Sequence, residues 1–486
     1  MLLDPTIWKS SVFVGGAWVP PSGGTAPVIE PATGSTLGEV GIANADDVAK
    51  AAEIAAEAQL GWAATPHPQR AAVLREAGRL WAESADEVSW WNIREVGAVP
   101  AMAGFAVHVA EQECYEAAGL PSRPYGELLP SEEPRLSMAR RVPAGVVGVI
   151  SPFNVPIILG IRSVAPALAL GNAVILKPDP RTAVTGGVTI ARIFEEAGLP
   201  PGVLQMLPGG ADVGEALVTH PLVRVISFTG STAAGRRVGE LAGKHLKRAH
   251  LELGGNSALV VLGDADVEEA ATLAAFGTFF HQGQICMTTG RHIVHEGVYD
   301  AFVERLAAKA ANLPVGDPAS GEVALGPLID SSQRDKIHEI VTSSVSAGAK
   351  VAAGGTYDGL FYAATVLSEV PADSRAFVEE IFGPIAPVVR FGTDEEAIAL
   401  AASSDYGLSL GIVTRDVMRG LEIANRIPTG IVHINDQTVS DEANSPFGGI
   451  GASGTGSRFG GANANIEAFT ETQWVTMRAK APTYPF

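Results

Sequence analysis

The sequence predicts an α/β protein with a doubly wound parallel sheet, followed by a second α/β unit. Three observations lead there. From Ala144 onward, short β-branched runs alternate with helical stretches at the spacing of strand–helix–strand units. Of the 486 residues, 47% are hydrophobic and 18% charged, which suits large buried cores and excludes a disordered or coiled-coil chain. The 55 glycines and 32 prolines show no collagen-like period and so mark turns. Length alone suggests roughly three domains.

The elements follow in order. Residues 12–19 form a hairpin around Gly15-Gly16. Residues 44 to about 95 are Ala-rich and helical, with Asn44 as N-cap and Asp46 and Asp47 in the first turn. A second helix is expected at 101–118, before Pro121, Pro124 and Pro130 break the chain, and a strand at 136–142. The regular alternation then begins: strand 146–150, helix 157–170, strand 173–177 and helix 185–197, closed by Gly198. Strands at 203–207, 223–228 and 250–253 continue the sheet, and ligands of such sheets bind beyond the carboxyl ends of the strands. The second unit, 257–453, has helices near 267–280 and 299–313 and strands near 410–414 and 431–435. A last β-like run covers 473–477. No repeat or linker separates the units, so a cleft between packed domains is the expected site.

Composition narrows the partners. Lys+Arg total 34 and Asp+Glu 53, and the net charge of −19 repels phosphate backbones and anionic lipid. No nucleic-acid or membrane partner is expected. Residues 142–161 carry no charge before Arg162, but Pro143, Ser151, Pro152, Asn154 and Pro156 interrupt them, so they read as strand, turn and helix start, not a membrane span. Two cysteines, Cys114 and Cys286, are too few for a disulfide framework or a four-ligand zinc site. No metal site is expected, and a reducing cytoplasm is the simplest location. The opening Met1–Pro5 lacks the basic-then-apolar run of a signal peptide.

Several residues carry chemistry. Ser227-Phe228-Thr229-Gly230-Ser231-Thr232 follows a strand and opens a helix, so its free amides suit a pyrophosphate; an ordinary N-cap is the other reading. Gly449-x-Gly451-x-x-Gly454 follows no strand and reads as a glycine-rich turn. Cys286 lies on a glycine-framed turn with room for a substrate, where facing amide dipoles can lower a thiol pKa; Cys114 fits a small buried hydrophobe. Glu252 ends an apolar strand, where a raised pKa suits a general base, or where a carboxylate faces water. Lys177 ends the strand 173–177, at the cofactor edge or as a solvated lysine. Asn154, between two prolines, offers a rigid amide for an oxyanion or an Asx-turn. Glu380 precedes Phe382 and a turn; the pair can hold sugar hydroxyls and a ring, or Glu380 is a solvated charge.

Together, in this order, these segments resemble the aldehyde dehydrogenase superfamily over nearly the whole chain. The carriers are Pro152-Phe153-Asn154, Leu176-Lys177-Pro178, Phe228-Thr229-Gly230-Ser231, Leu251-Glu252-Leu253-Gly254-Gly255, Gly283-Gln284-Ile285-Cys286, Glu380-Ile381-Phe382-Gly383-Pro384 and Ser445-Pro446-Phe447-Gly448-Gly449. Ile150–Pro156 and His433–Val439 look like the benzaldehyde, salicylaldehyde and vanillin dehydrogenase group. Phe153 stands where many relatives have tryptophan, His281 where asparagine is usual, and Pro180 where NAD-preferring relatives often place a ribose-binding glutamate.

The resemblance implies a dinucleotide-binding domain over 1–121 and 144–253, a catalytic domain over 254–455, and a bridging β element for oligomerisation over 122–143 and 456–486. It implies a homodimer or homotetramer. It makes Cys286 the nucleophile, Glu252 the base that activates water on the thioester, and Asn154 the oxyanion donor, with the Cys286 N–H as second donor. Lys177, Ser231, Gly230, Glu380, Phe382 and Phe153 would hold NAD, with NADP also accepted. Val155, Leu159, Ile285, Met287 and Phe447 would line an apolar channel for an aromatic aldehyde, with benzaldehyde as the first choice. Arg162 marks either a hydroxyl or anionic substituent or a structural ion pair; the ion pair is the preferred reading. Release to coenzyme A is the alternative, and relatives that do so tend to lack the glutamate that Glu252 supplies. A non-enzymatic protein on the same fold would not need the three catalytic residues together.

Overall fold

The computed structural model describes residues 1–485. Phe486, the end of the expected bridging segment, lies outside the described residues. Two seven-stranded sheets organise the chain. The first runs in the order Arg248–Glu252, Val223–Thr229, Val146–Ile150, Ala173–Lys177, Leu204–Met206, Val12–Val14, Ala17–Val19. Its first five strands are parallel, and the N-terminal hairpin adds antiparallel to the edge. The direction of winding reverses between Val146–Ile150 and Val223–Thr229, which opens a crevice at their carboxyl ends.

Local chemistry explains the elements that flank this crevice. The helix Ala45–Ala64 starts on Asn44, whose side chain accepts from the Asp46 and Asp47 amides in a capping box. Strand Val146–Ile150 is buried throughout, as a central parallel strand must be. Pro156 opens the next helix, Pro156–Ala169, where its missing N–H costs nothing, and every residue of that helix is buried, Arg162 included. This is where the uncharged run goes; no helix of the described residues is long and apolar enough to cross a membrane.

The second sheet runs Lys350–Ala353, Thr365–Ser368, Ile385–Phe391, Thr289–His295, Ser257–Val261, Ser409–Val413, Ile431–Ile434, parallel except for its first strand. A third, antiparallel sheet pairs Thr470–Met477 with Leu136–Pro143 and Leu136–Pro143 with Gly126–Leu128.

Several expected boundaries move. The strand expected at 250–253 is Arg248–Glu252, because Leu253 leaves the ladder and donates to Ser453 O at 2.9 Å. The helix expected from 185 begins as a wide turn over Val184–Val188, because the buried Glu95 carboxylate takes the Val184 and Thr185 amides at 2.9 and 2.6 Å. The Ala-rich stretch 44–95 breaks at Thr65 and Ser84 into successive helices.

Candidate active site

Four strand ends of the first sheet deliver residues to one crevice. Ser151–Asn154 follow Val146–Ile150, Lys177 closes its strand, Gly230 and Ser231 follow Val223–Thr229, and Glu252 closes Arg248–Glu252. The second sheet supplies Cys286, between helix Val267–Phe279 and strand Thr289–His295, and Glu380 and Phe382 ahead of Ile385–Phe391.

The turn before Cys286 is unusual. His281, Gln282 and Gly283 all have left-handed φ, at 53°, 55° and 67°. For His281 and Gln282 this costs about 1–3 kcal/mol each, so the surroundings must hold them. Gln282 Nε2 donates to Gly97 O at 2.8 Å, and Gln284 Oε1 accepts from the Ile329 amide at 3.1 Å. His281 Nε2 lies 2.7 Å from Asn154 O. A carbonyl only accepts, so Nε2 carries the proton. Burial lowers the His281 pKa to about 4, and the ring is neutral at pH 7. At Gly283, an added Cβ would sit 2.2 Å from Gly383 O, so only glycine fits.

Asn154 is therefore held twice by this one turn. Its carbonyl meets His281, and its Nδ2 donates to Gln284 O at 2.8 Å. One amide hydrogen remains for a ligand. The Cys286 N–H donates to no group among the described residues. Two donors thus stand ready beside the sulfur.

Electrostatics differ from expectation at Cys286. Burial pushes its pKa up to about 12, with Glu380, Glu252 and Asp441 adding to the shift and the Met287 amide offsetting part of it. The thiol is the resting form, and the expected lowering by amide dipoles is outweighed. Cys114 is fully buried, and burial raises its pKa too. At Glu252 burial raises the pKa well above the ordinary carboxylate range; the Arg458 charge, the Gly449 amide and the Arg162 charge offset part of it. Neither Glu252 oxygen is in hydrogen-bonding geometry with a donor, so the Gly449 amide acts only as a nearby dipole and the carboxyl is poised to be neutral at rest. The glycine-rich turn at 449–454 packs on this residue: Gly454 bridges the Glu252 backbone.

Two spaces meet at the sulfur. Cys286, Asn154 and Leu159 line an apolar pocket of about 450 Å³ that Val155, Ile285, Met287 and Phe447 also line. The same Cys286, Asn154 and Leu159 line the end of a cleft with Phe153, Gly230, Ser231, Glu380 and Phe382. That cleft continues along Phe153, Gly230 and Ser231 into a space of about 1360 Å³ beside Lys177. Glu252 lines none of these spaces, so its carboxyl is near Cys286 in the fold but turned into protein.

The long cleft fits a dinucleotide. Lys177 Nζ donates to Gly209 O at 2.6 Å and Pro178 O at 3.3 Å, which leaves its third hydrogen for a sugar hydroxyl. Ser231 caps the helix Thr232–Lys244, accepting from Ala234 N at 3.3 Å, and the Thr232 and Ala233 amides lack helical acceptors. The Gly230 amide is not free, because it donates to Glu252 O at 3.0 Å; the expected amide contact from Gly230 shifts to its neighbours. Glu380 Oε1 accepts from the Gly255 amide at 2.8 Å, and its carboxyl packs against Gly254, where a Cβ would push it from this place. Phe382, itself at φ 58°, meets the Phe153 ring edge to face at 5.9 Å. Arg181 stacks 4.2 Å over Phe153, held by Asp179 at 2.9 Å and Asp330 at 2.7 Å, so Asp179 does not point into the cleft as a free charge.

Sequence reasoning missed Asp441, Glu113 and the positioning role of His281. Asp441 sits on an irregular loop with no periodic signal. Glu113 lies on helix Pro100–Gly119, and Arg162 pairs with both acids, as the ion-pair reading expected.

The aldehyde dehydrogenase family model matches residues 18–475. A vanillin dehydrogenase of an Amycolatopsis species is 68% identical over 484 residues, covering 100% of this chain and 99% of the relative. An NAD-dependent benzaldehyde dehydrogenase of Pseudomonas putida is 52% identical, covering 99% of each chain. The crystal structure of a salicylaldehyde dehydrogenase from Pseudomonas putida G7, complexed with salicylaldehyde, superposes with a TM-score of 0.94 at 37% identity, over 98% of this chain and 99% of that one.

Proposed function

The chain belongs to the aldehyde dehydrogenase family, and we propose that it oxidises aromatic aldehydes, benzaldehyde and its ring-substituted forms, to the carboxylic acids with NAD. The observation that carries this reading is the meeting of an apolar pocket and a dinucleotide-sized cleft at one sulfur. Relatives named for vanillin and benzaldehyde support the aromatic class.

Cys286 passes its proton to water entering the cleft, and the thiolate attacks the aldehyde carbon, forming a thiohemiacetal. The oxyanion lies against the Asn154 amide and the Cys286 N–H. A donor of this kind is typically worth about 10²–10³ in rate. When bound in the cleft, NAD supplies the hydride acceptor. Lys177 and Glu380 would bind its riboses and the Ser231 helix start its pyrophosphate, with Phe153 and Phe382 flanking the site. Loss of hydride leaves an acyl thioester on Cys286. In its ionised form the Glu252 carboxyl turns toward the sulfur and takes a proton from water, the water oxygen bonds to the thioester carbon, the C–S bond breaks, and the acid departs as Cys286 leaves as the thiolate. Release is to water because this base is present.

NADP is also accepted, since Pro180 carries no charge and Arg181 already neutralises Asp179. The active unit is a homodimer or homotetramer in the cytoplasm. The three-stranded sheet leaves Leu128 and Trp474 75% and 64% exposed, and a second copy covers them. Sedimentation equilibrium should therefore give two or four times the chain mass; a monomer at micromolar concentration contradicts this.

The test of function is NADH absorbance with NAD, no coenzyme A, and a panel of aldehydes. Benzaldehyde should exceed acetaldehyde in kcat/KM by several kcal/mol, at roughly 1 kcal/mol per missing methylene-sized contact. An aliphatic or carboxylated aldehyde that wins by about tenfold, roughly 1.4 kcal/mol, overturns the aromatic reading.

A further inference from the structure

The pocket beside Cys286 is apolar except at two places. One is the reacting end, with Cys286 and Asn154. The other is Asp441, backed by Arg162. Arg162 Nη2 donates to both Asp441 oxygens, at 2.9 and 3.0 Å, and its Nε donates to Glu113 Oε1 at 2.8 Å. Its Nη1 has no hydrogen-bond partner, and the guanidinium lies 5.1 Å from the centre of the Phe447 ring.

Three buried ionisable groups are a poor way to stabilise two packed helices. Apolar residues of similar volume usually do as well or better. The group at Arg162 instead does one thing apolar residues cannot: it fixes a carboxylate on an irregular loop against the pocket wall. A bidentate guanidinium holds both oxygens of Asp441, yet each oxygen keeps lone-pair capacity.

Charge selects the ligand. One cation faces two acids, so the cluster offers no surplus positive charge to a carboxylated aldehyde. It offers an acceptor in Asp441 beside the unpartnered Arg162 Nη1 donor, and the complement is a neutral group that can donate, a hydroxyl. Position agrees: Cys286, Asn154, Arg162 and Asp441 line one pocket with Val155, Leu159 and Phe447, so an aromatic ring held there can meet both polar places.

We propose that Asp441, oriented by Arg162, forms a specificity-determining subsite for a hydroxyl group on the aldehyde ring. The proposal rests on the aromatic reading above. The hydroxyl donates to Asp441, and Arg162 acts as a positioning residue. A hydrogen bond to a charged acceptor is worth roughly 10- to 100-fold in kcat/KM.

The experiment measures kcat/KM for meta- and para-hydroxybenzaldehyde, their methyl ethers, benzaldehyde and hexanal, with the wild type and Asp441→Asn. A hydroxyl compound should exceed both benzaldehyde and its own methyl ether by about tenfold or more. In Asp441→Asn that ratio should fall toward one. A wild-type ratio near one, or a ratio unchanged in the variant, overturns the proposal. If the variant does not fold, the wild-type comparison of hydroxyl with methyl ether decides alone. If hexanal beats every benzaldehyde, the aromatic reading fails; if benzaldehyde matches its hydroxylated forms while all beat hexanal, only the subsite fails.

Discussion

Glu252 shows how one residue sets stability against chemistry. Burial raises its pKa, so the folded chain binds this proton more tightly than the unfolded chain does. Stability is therefore undiminished below the ordinary value of 4.5 and falls as pH climbs from there toward the raised value, where the loss is complete. Glutamine stays neutral and keeps the shape. Glu252→Gln should have a higher Tm than the wild type at pH 7–8, with the two converging at pH 4. The same variant should lose about 10²–10⁴ in steady-state turnover. Thermal melts at the two pH values check the first statement; a variant that melts lower at pH 8 contradicts it. Cys286 works in the same direction, since its thiol must also lose a proton, so turnover should rise with pH.

The element that organises the site is the left-handed turn at 281–283. The strand ends were legible, because Val146–Ile150, Ala173–Lys177 and Val223–Thr229 are β-branched runs that stop where polar residues begin. The turn was not, because no residue type at 281 or 282 announces a left-handed backbone. Three central strands of the second sheet were also missed: Ser257–Val261, whose apolar run did carry the signal, and two whose sequences hide it. Ile385–Phe391 contains Pro387, and a proline argues against a central strand. Thr289–His295 buries Arg291 and His292, whose donors are taken by backbone carbonyls such as Asn256 O, at 2.9 Å from Arg291 Nε. Asp441 escaped for a different reason: its place in the buried ion-pair cluster depends on Arg162 and Glu113, which are distant in sequence. The turn carries its own prediction. His281→Ala frees the Asn154 carbonyl, so kcat should fall about tenfold or more, roughly 1.4 kcal/mol, while dinucleotide binding and aldehyde KM change little. His281→Gln, which retains a donor, should recover part of the loss. Unchanged kcat in His281→Ala would show that the contact does not position Asn154.

At the scale of the whole molecule, two sheets face each other across a cleft, and neither holds the reaction alone. The first sheet brings Asn154, Lys177, Ser231 and Glu252 from its strand ends, and the second brings Cys286 and Glu380. This division explains why the order of motifs along the chain was readable while their meeting point was not. Burial, with Glu380, Glu252 and Asp441 adding to it, holds the Cys286 thiol protonated at rest. In the proposed mechanism the acyl group passes through Cys286 and leaves only with the help of Glu252. The most direct measurement is the intact mass of Glu252→Gln after mixing with benzaldehyde and NAD, followed by peptide mapping. A mass increase of one aroyl group on the peptide that contains Cys286, formed with a single burst of NADH, is the predicted result. No adduct, or an adduct on Cys114 or elsewhere, would contradict the account.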